Sequence, residues 1–177
     1  MLSRSLPSVG TMIPWSQFTE EAPETEAVLR RRIEATGLAL LASVRADGSP
    51  RISPLEPLIS GDRLWLGMMP GSTKVADVRR DPRVCLHTAT ADKDVADGDA
   101  KVFGRAVDVP EGSADRAAYA AAFKAATGND LEAMPGGFDL FWLDLTGASS
   151  LVLGDDHQHL RITVWSPGSP EDIRKRH

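Results

Sequence analysis

Between Leu38 and Met68 the chain reverses direction twice, over connections too short for anything but antiparallel strands. Leu38 to Arg45 alternates toward a strand, Ala46-Asp47-Gly48-Ser49 carries the Asp-Gly signal of a tight hairpin turn, and Arg51 to Ile59 reads as the return strand. After Gly61-Asp62 a third strand runs from Arg63 to Met68. Parallel neighbours would need a crossover of about a dozen residues, so the sheet begins as a meander.

The end of the third strand adds a second signature. Leu66-Gly67-Met68 runs into the turn Met69-Pro70-Gly71, Ser72-Thr73-Lys74 opens a short helix, and Pro82 closes it. A helix start leaves backbone N–H groups without intrahelical acceptors and gathers positive potential, which suits an anion. The hydroxyls of Ser72 and Thr73 add donors, and Lys74 adds a full charge. Because the meander sets Arg51 on the same small sheet, two cations can converge on one dianion such as a phosphate. The same residues also suit an ordinary capped helix, with Ser72 as N-cap and Lys74 in solvent, and the spacing of a P-loop is absent.

With 177 residues, 42% of them hydrophobic and 25% charged, the chain can bury one sizeable core and is short for two. The plan expected is a flexible segment over residues 1–14, a single domain over 15–167 and a C-terminal tail over 168–177. Twenty Lys and Arg against 25 Asp and Glu give a net charge of −5, so a nucleic-acid backbone is not the expected partner. Arg30-Arg31-Arg32 and Arg174-Lys175-Arg176 read as solvated faces or tails. No apolar run is long enough to span a bilayer, and Met1 to Pro14 lacks the apolar centre of a secretory signal, so a cytoplasmic setting is expected. Cys85 is the one cysteine; it excludes an intramolecular disulfide and, in the apolar strand around it, reads as a buried, inert thiol.

Pro23 fits the first turn of a helix whose narrow apolar stripe is Val28, Leu29 and Ile33 and which Gly37 stops. Arg83 to Ala89 is a strand. From Thr90 to Ala100, Asp92, Asp94, Asp97 and Asp99 crowd around Gly98, but the glycine is misplaced for a calcium loop and the closing Glu is missing, so an exposed acidic loop is expected. Lys101 to Val109 alternates again, with Gly104 marking a bulge or a close approach. Ala114 to Ala126 is an Ala-rich helix, and Phe138 to Leu145, Ser149 to Leu153 and His159 to Trp165 read as three strands. The sum is a mainly β protein, largely antiparallel, with two or three helices. His157 and His159 would share one strand face, but no third ligand stands near, so no metal site is expected; His87 reads as a hydrogen-bonded core residue. No Ser-His-Asp order, nucleophile elbow or carboxylate pair stands out, which leaves chemistry to a bound cofactor.

The ordered set Asp47-Gly48-Ser49-Pro50-Arg51-Ile52-Ser53-Pro54, Leu64-Trp65-Leu66-Gly67, Ser72-Thr73-Lys74 and Arg80-Asp81-Pro82-Arg83-Val84 resembles the pyridoxamine 5′-phosphate oxidase-like family of flavin-binding split β-barrels. The resemblance runs from Leu38 to Val109 and more weakly to Trp165. It implies an FMN-binding split barrel, a homodimer with the flavin at its interface, and an oxidoreductase that moves hydride to or from a small organic substrate. It assigns the phosphate to Arg51, Ser72, Thr73 and Lys74, lays Ile52, Ser53 and Pro54 along the flavin ring, and sets Gly67 and Met68 beneath it. Trp165 approaches from the second subunit or stays in the core. Two departures bear on substrate. Where the vitamin B6 oxidases of the family carry a substrate-binding lysine, this chain has Glu56, and His159-Leu160-Arg161-Ile162 stands in place of their C-terminal Arg-Leu-His-Asp-Arg clamp, so vitamin B6 oxidation is not expected. Two alternatives follow from the same resemblance. One is a deazaflavin coenzyme, whose longer anionic tail would draw on Arg79, Arg80 and Arg83; the other is a protein that holds haem or flavin without turnover, with His87, His157 or His159 on the iron.

Overall fold

The computed structural model describes residues 12–89, 95–154, 156 and 158–176, and among them nine strands join into one antiparallel sheet. The meander opens it. β1 (Ala39–Val44) and β2 (Pro50–Leu55) pair from Ala39 opposite Leu55 to Val44 opposite Pro50. Their turn is closed by the Arg45 amide on Ser49 O at 2.8 Å, while Asp47 Oδ1 accepts from both the amide and the hydroxyl of Ser49. β3 (Pro57–Ser60) and β4 (Arg63–Met68) form the next hairpin. The remaining strands are β5 (Arg83–Thr88), β6 (Asp99–Asp108), β7 (Asp139–Leu153), β8 (Leu160–Trp165) and β9 (Asp172–Arg176). The strand order is β2-β1-β5-β6-β7-β4-β3, with β8 and β9 branching from β7.

The single strand expected over residues 51–59 is two. β2 pairs with β1 and β3 with β4, at opposite ends of the strand order, so the one-residue step at Glu56 draws the two ends of the sheet together. The step curls the sheet into a split barrel. The strands expected over 138–145 and 149–153 are, conversely, one. β7 pairs with β4 over Asp139–Trp142 and with β8 over Ala148–Leu153, and the sheet forks along it. Against β6 its register shifts once, Phe103 standing opposite Gly147 and Gly104 opposite Leu145, which leaves Thr146 as the extra residue. A bulge of one residue flips the alternation: Phe141, Leu143 and Leu145 face the core before it, Ala148 and Ser150 are buried after it. That flip breaks the sequence pattern without breaking the strand. Gly104 lies at this shift because a Cβ there would stand 2.3 Å from Asp144 O and 2.8 Å from Leu143 Cδ1.

Among the described residues four α-helices dress the barrel. α2 (Pro23–Thr36) begins on its proline and ends at Gly37, whose φ of 67° and amide bond to Ile33 O at 2.7 Å make the stop expected from the sequence. α1 (Trp15–Glu21) carries no such signal, since its N-cap is Pro14; the loop at Asp62 takes its first amides instead, Ser16 N lying 2.5 Å from Asp62 Oδ1. Phe18 and Leu29 pack from these helices onto a barrel interior of Leu41, Leu64, Leu66, Leu86, Val102 and Phe141. α4 (Ala114–Thr127) covers the other face of β4 and β7, closing a second apolar cluster around Trp65, Tyr119, Leu140 and Trp142. The expected tail is in part structured: β9 pairs with β8, and the Glu171 carboxylate accepts from the Glu24 and Thr25 amides at the start of α2. The expected flexible segment lies, through residue 11, outside the described residues.

Candidate functional site

The alternation of β2 decides what its residues can reach. Arg51 and Ser53 are half-buried on the face toward α3 (Thr73–Arg80), while Ile52 and Pro54 are exposed on the other. Helix α3 starts where the sequence placed it, with Ser72 in extended conformation as N-cap and its first intrahelical bond from the Ala76 amide to Ser72 O at 3.2 Å. The Ser72 side chain does not cap. Its hydroxyl oxygen is buried and, among the described residues, has no hydrogen-bond partner, and the helix's first amides have no intrahelical acceptor. Lys74 Nζ donates to Pro54 O at 3.0 Å, tying the start of α3 to β2. Burial pushes the Lys74 ammonium down from its ordinary value, and the nearby Glu56 carboxylate opposes that shift.

Arg51 meets α3 one turn further along. Its Nε lies 2.5 Å from Asp77 Oδ2, and Arg80 reaches Asp77 Oδ1 at 3.0 Å and the Val44 carbonyl. Asp77 is 5% exposed. Its hydrogen bond from Arg51 holds its carboxyl below the usual carboxylate range, burial opposes, and Arg80 adds to the lowering. On the far side of the helix, Arg79 bridges Asp108 and Asp139 at 2.7 Å each, and Asp139 also accepts from the Gly71 amide, fixing the turn that precedes Ser72. The structure thus sets Ser72, Thr73 and Lys74 at the start of α3, with Lys74 on Pro54, and Arg51 one turn further along on Asp77. A hydroxyl without a partner among the described residues, the helix's first amides and two cations, one of them a turn further along, fit a phosphate group.

Residues 25–151, well over half of the chain, match the pyridoxamine 5′-phosphate oxidase family. The chain belongs to that family. Its fold is shared by a pyridoxamine 5′-phosphate oxidase-related, FMN-binding protein from Nostoc punctiforme PCC 73102, with a TM-score of 0.60 at 13% identity over 86% of this chain and 94% of that one. HutZ, the haem storage protein from Vibrio cholerae, aligns with a TM-score of 0.59 at 16% identity, covering 82% and 96% of the two chains. PhzG from Burkholderia lata 383, solved with tetrahydrophenazine-1-carboxylic acid, aligns with a TM-score of 0.59 at 13% identity over 96% and 99%. At such identities the likeness speaks to the fold alone. No curated protein matches the sequence.

Other residues that the family resemblance points to stand differently. Trp165 is 1% exposed, packs on Phe18 with ring centroids 4.9 Å apart, and donates through Nε1 to Glu21 Oε2 at 3.0 Å. Of the two places expected for it, Trp165 takes the core. The Met68 side chain is also in the barrel core, so only its backbone can line a ligand. Gly67 faces the Tyr119 hydroxyl on the opposite side of the sheet. Burial pushes the Tyr119 phenol up to about 12. The family's alternative ligands find their residues engaged: Arg79 and Arg80 are paired as described, and Arg83 sits on Asp81, whose carboxyl it holds down to about 2. His87 Nδ1 contacts the Thr88 carbonyl and its Nε2 faces Asp99 at 3.8 Å, while His159 Nδ1 lies 2.8 Å from Asp156. His157, Asp92 and Asp94 lie outside the described residues; Asp97 accepts from Arg32 at 3.2 Å. Cys85 is half-buried on β5, where burial raises its thiol above the ordinary value. Sequence reading did not find Asp77. Its spacing, three residues after Lys74 and so on the same helix face, is the one signal for it.

Proposed function

We propose that this chain is a homodimeric, cytoplasmic flavoprotein that binds FMN and passes hydride to or from a small organic substrate. One observation carries the reading: the buried Ser72 hydroxyl at the start of α3, without a partner among the described residues and beside Lys74. FMN, when bound, supplies the hydride chemistry. The protein's part is to hold and orient it. Ser72, Thr73, Lys74 and Arg51 take the phosphate. Among the described residues β2 has a ladder partner on one side only. Main-chain groups alternate between its two edges, so of Ile52, Ser53 and Pro54 only alternate residues offer theirs to the ring, Pro54 having no N–H and its carbonyl on Lys74, with the backbone of Gly67 and Met68 as the remaining candidates.

The outside of the barrel favours a second copy. Ile52, Ala42, Cys85 and Phe103 stand opposite one another in a row across β2, β1, β5 and β6, on the face turned from the core. Ile52 is 69% exposed and Phe103 40%, and nothing in the described chain covers them as α4 covers β4 and β7. An apolar row of that kind suits a like surface on a second copy. FMN is favoured over a deazaflavin coenzyme because Arg79, Arg80 and Arg83 are held in ion pairs, and over haem because His87 and His159 have both found protein partners. None of the described helices is long and apolar enough to cross a membrane.

The test is direct. Purified protein should show a flavin spectrum, and Arg51→Ala and Lys74→Ala should each weaken FMN binding about tenfold to a hundredfold, the loss of one charge-assisted hydrogen bond. A haem band, or two variants that bind FMN like the parent, removes the reading. Pyridoxamine phosphate should be a poor substrate with FMN supplied, since Glu56 is exposed and electrostatically coupled to Lys74. Rapid formation of pyridoxal phosphate overturns that part.

A further inference from the structure

Arg51 is gripped in an unusual place. Asp77 Oδ2 takes its Nε, at 2.5 Å, and among the described residues the two terminal nitrogens of the guanidinium make no hydrogen bond. The side chain is only 21% exposed, so this is a sheltered contact and not a surface pair. Anchoring α3 to the β1–β2 hairpin does not need it, because Arg80 already joins Asp77 Oδ1 to the Val44 carbonyl. What the Asp77–Arg51 contact adds is orientation. An arginine can meet a phosphate side-on, through Nε and one terminal nitrogen, or end-on, through both terminal nitrogens. With Nε occupied, only the end-on fork remains. The Asp77 carboxylate also offsets the repulsion between two neighbouring guanidinium groups, Arg51 and Arg80, which lets both stay beside it in the second half of α3.

We propose that Asp77 is the positioning residue for phosphate recognition, fixing Arg51 so that its terminal fork meets the phosphate of the flavin and thereby setting the preference for a phosphorylated over an unphosphorylated ligand. The inference rests on the FMN reading above. Asp77 itself touches no ligand; it acts through Arg51. Removing it frees Arg51 to swing while leaving the ring-binding elements of β2 and β4 in place, so the effect falls on the phosphate and spares the ring.

The experiment titrates the full chain with FMN and with riboflavin, the same ring without phosphate, and reads the ratio of the two affinities. Asp77→Ala should lower that ratio about tenfold or more while riboflavin affinity stays within about twofold. Asp77→Asn keeps an oxygen for Arg51 Nε and should hold the ratio within about threefold of the parent. Arg51→Lys keeps the charge, has no fork to orient and leaves Asp77 and Arg80 in place; it should reproduce the loss even where Asp77→Ala does not fold. Combining Asp77→Ala with Arg51→Lys should add nothing further. Unchanged or tighter FMN binding by Asp77→Ala overturns the proposal, as does an equal loss of FMN and riboflavin, which is the mark of a scaffold defect. So does an Arg51→Lys protein with the parental ratio. A parent that fails to bind FMN removes the phosphate reading and this inference together, whereas a parent that prefers FMN and an Asp77→Ala protein that still does so removes the inference alone.

Discussion

Gly67 shows how one absent side chain can hold two layers together. A Cβ at this position would lie 2.2 Å from the Tyr119 hydroxyl oxygen and 3.1 Å from its Cζ, and Tyr119 is wedged among Trp65, Phe123 and Phe138 with ring centroids 5.8–5.9 Å away. The phenol fills the place a side chain would take. Gly67→Ala should therefore destabilise the protein by about 1–3 kcal/mol, an overpacking cost, and adding Tyr119→Phe should return part of it. Denaturant unfolding of the two single variants and the double variant checks this; additive losses would show that the two residues do not compete for space. Asp77 gives a pH test. Its folded-state value lies below the ordinary one because of Arg51, so its ionised form contributes stability in full above about pH 4, the unfolded aspartate's range, and loses that contribution as pH falls through the lowered value. The melting temperature of Asp77→Asn should sit below the parent's at neutral pH, with the gap closing in acid. A gap that widens in acid reverses the assignment.

Helix α2 borrows its cap from the other end of the sequence. Its N-cap residue, Ala22, has no acceptor, and the Glu171 carboxylate serves in its place, 2.8 Å from the Glu24 amide, 3.2 Å from the Thr25 amide and 2.8 Å from the buried Thr25 hydroxyl. The segment that supplies it is held in turn by Glu21, whose backbone oxygen takes the Glu171 amide and whose carboxylate takes Trp165 Nε1 and the Gly168 amide. Glu171→Ala should cost about 1–2 kcal/mol, the value of a lost N-cap, and should quicken amide exchange at Glu24 and Thr25 ahead of the rest of α2. Uniform exchange along the helix would mean that Glu171 does not cap it.

The barrel is clad unevenly. α1 and α2 pack onto its core and α4 covers β4 and β7, but the row Ile52, Ala42, Cys85 and Phe103 is left facing out. If that row seats a second copy, Ile52→Glu and Phe103→Glu each place an unpaired charge in an apolar interface, and the solution mass should fall from dimer to monomer. Light scattering reads it. FMN titration on the same samples tells whether the cofactor site survives in the monomer, and a parent that is already monomeric ends the dimer reading.

Local rules were enough for much of this molecule. The Asp47-Gly48 hairpin, the Pro23 start and Gly37 stop of α2, the strand–turn–helix from Leu66 to Arg80 and the close approach at Gly104 all follow from turn chemistry, capping and alternation, which act over a few residues. The start of α3 was legible as a candidate anion site for the same reason, since its amides, hydroxyls and lysine are neighbours in sequence. Beyond that range the pattern is silent or misleads. The one-residue step at Glu56 looks like the middle of a strand until the two ends of the sheet meet there, and the bulge at Thr146 breaks the alternation of what is one continuous strand. Arg51's partner, the cap on α2 and the burial of Trp165 each join residues far apart along the chain, where closure of the barrel and not local preference selects the contact. Short-range chemistry wrote the elements and the turn proposed to bind an anion; the enclosure of one core by a sheet that returns on itself decided which side chains that turn would meet.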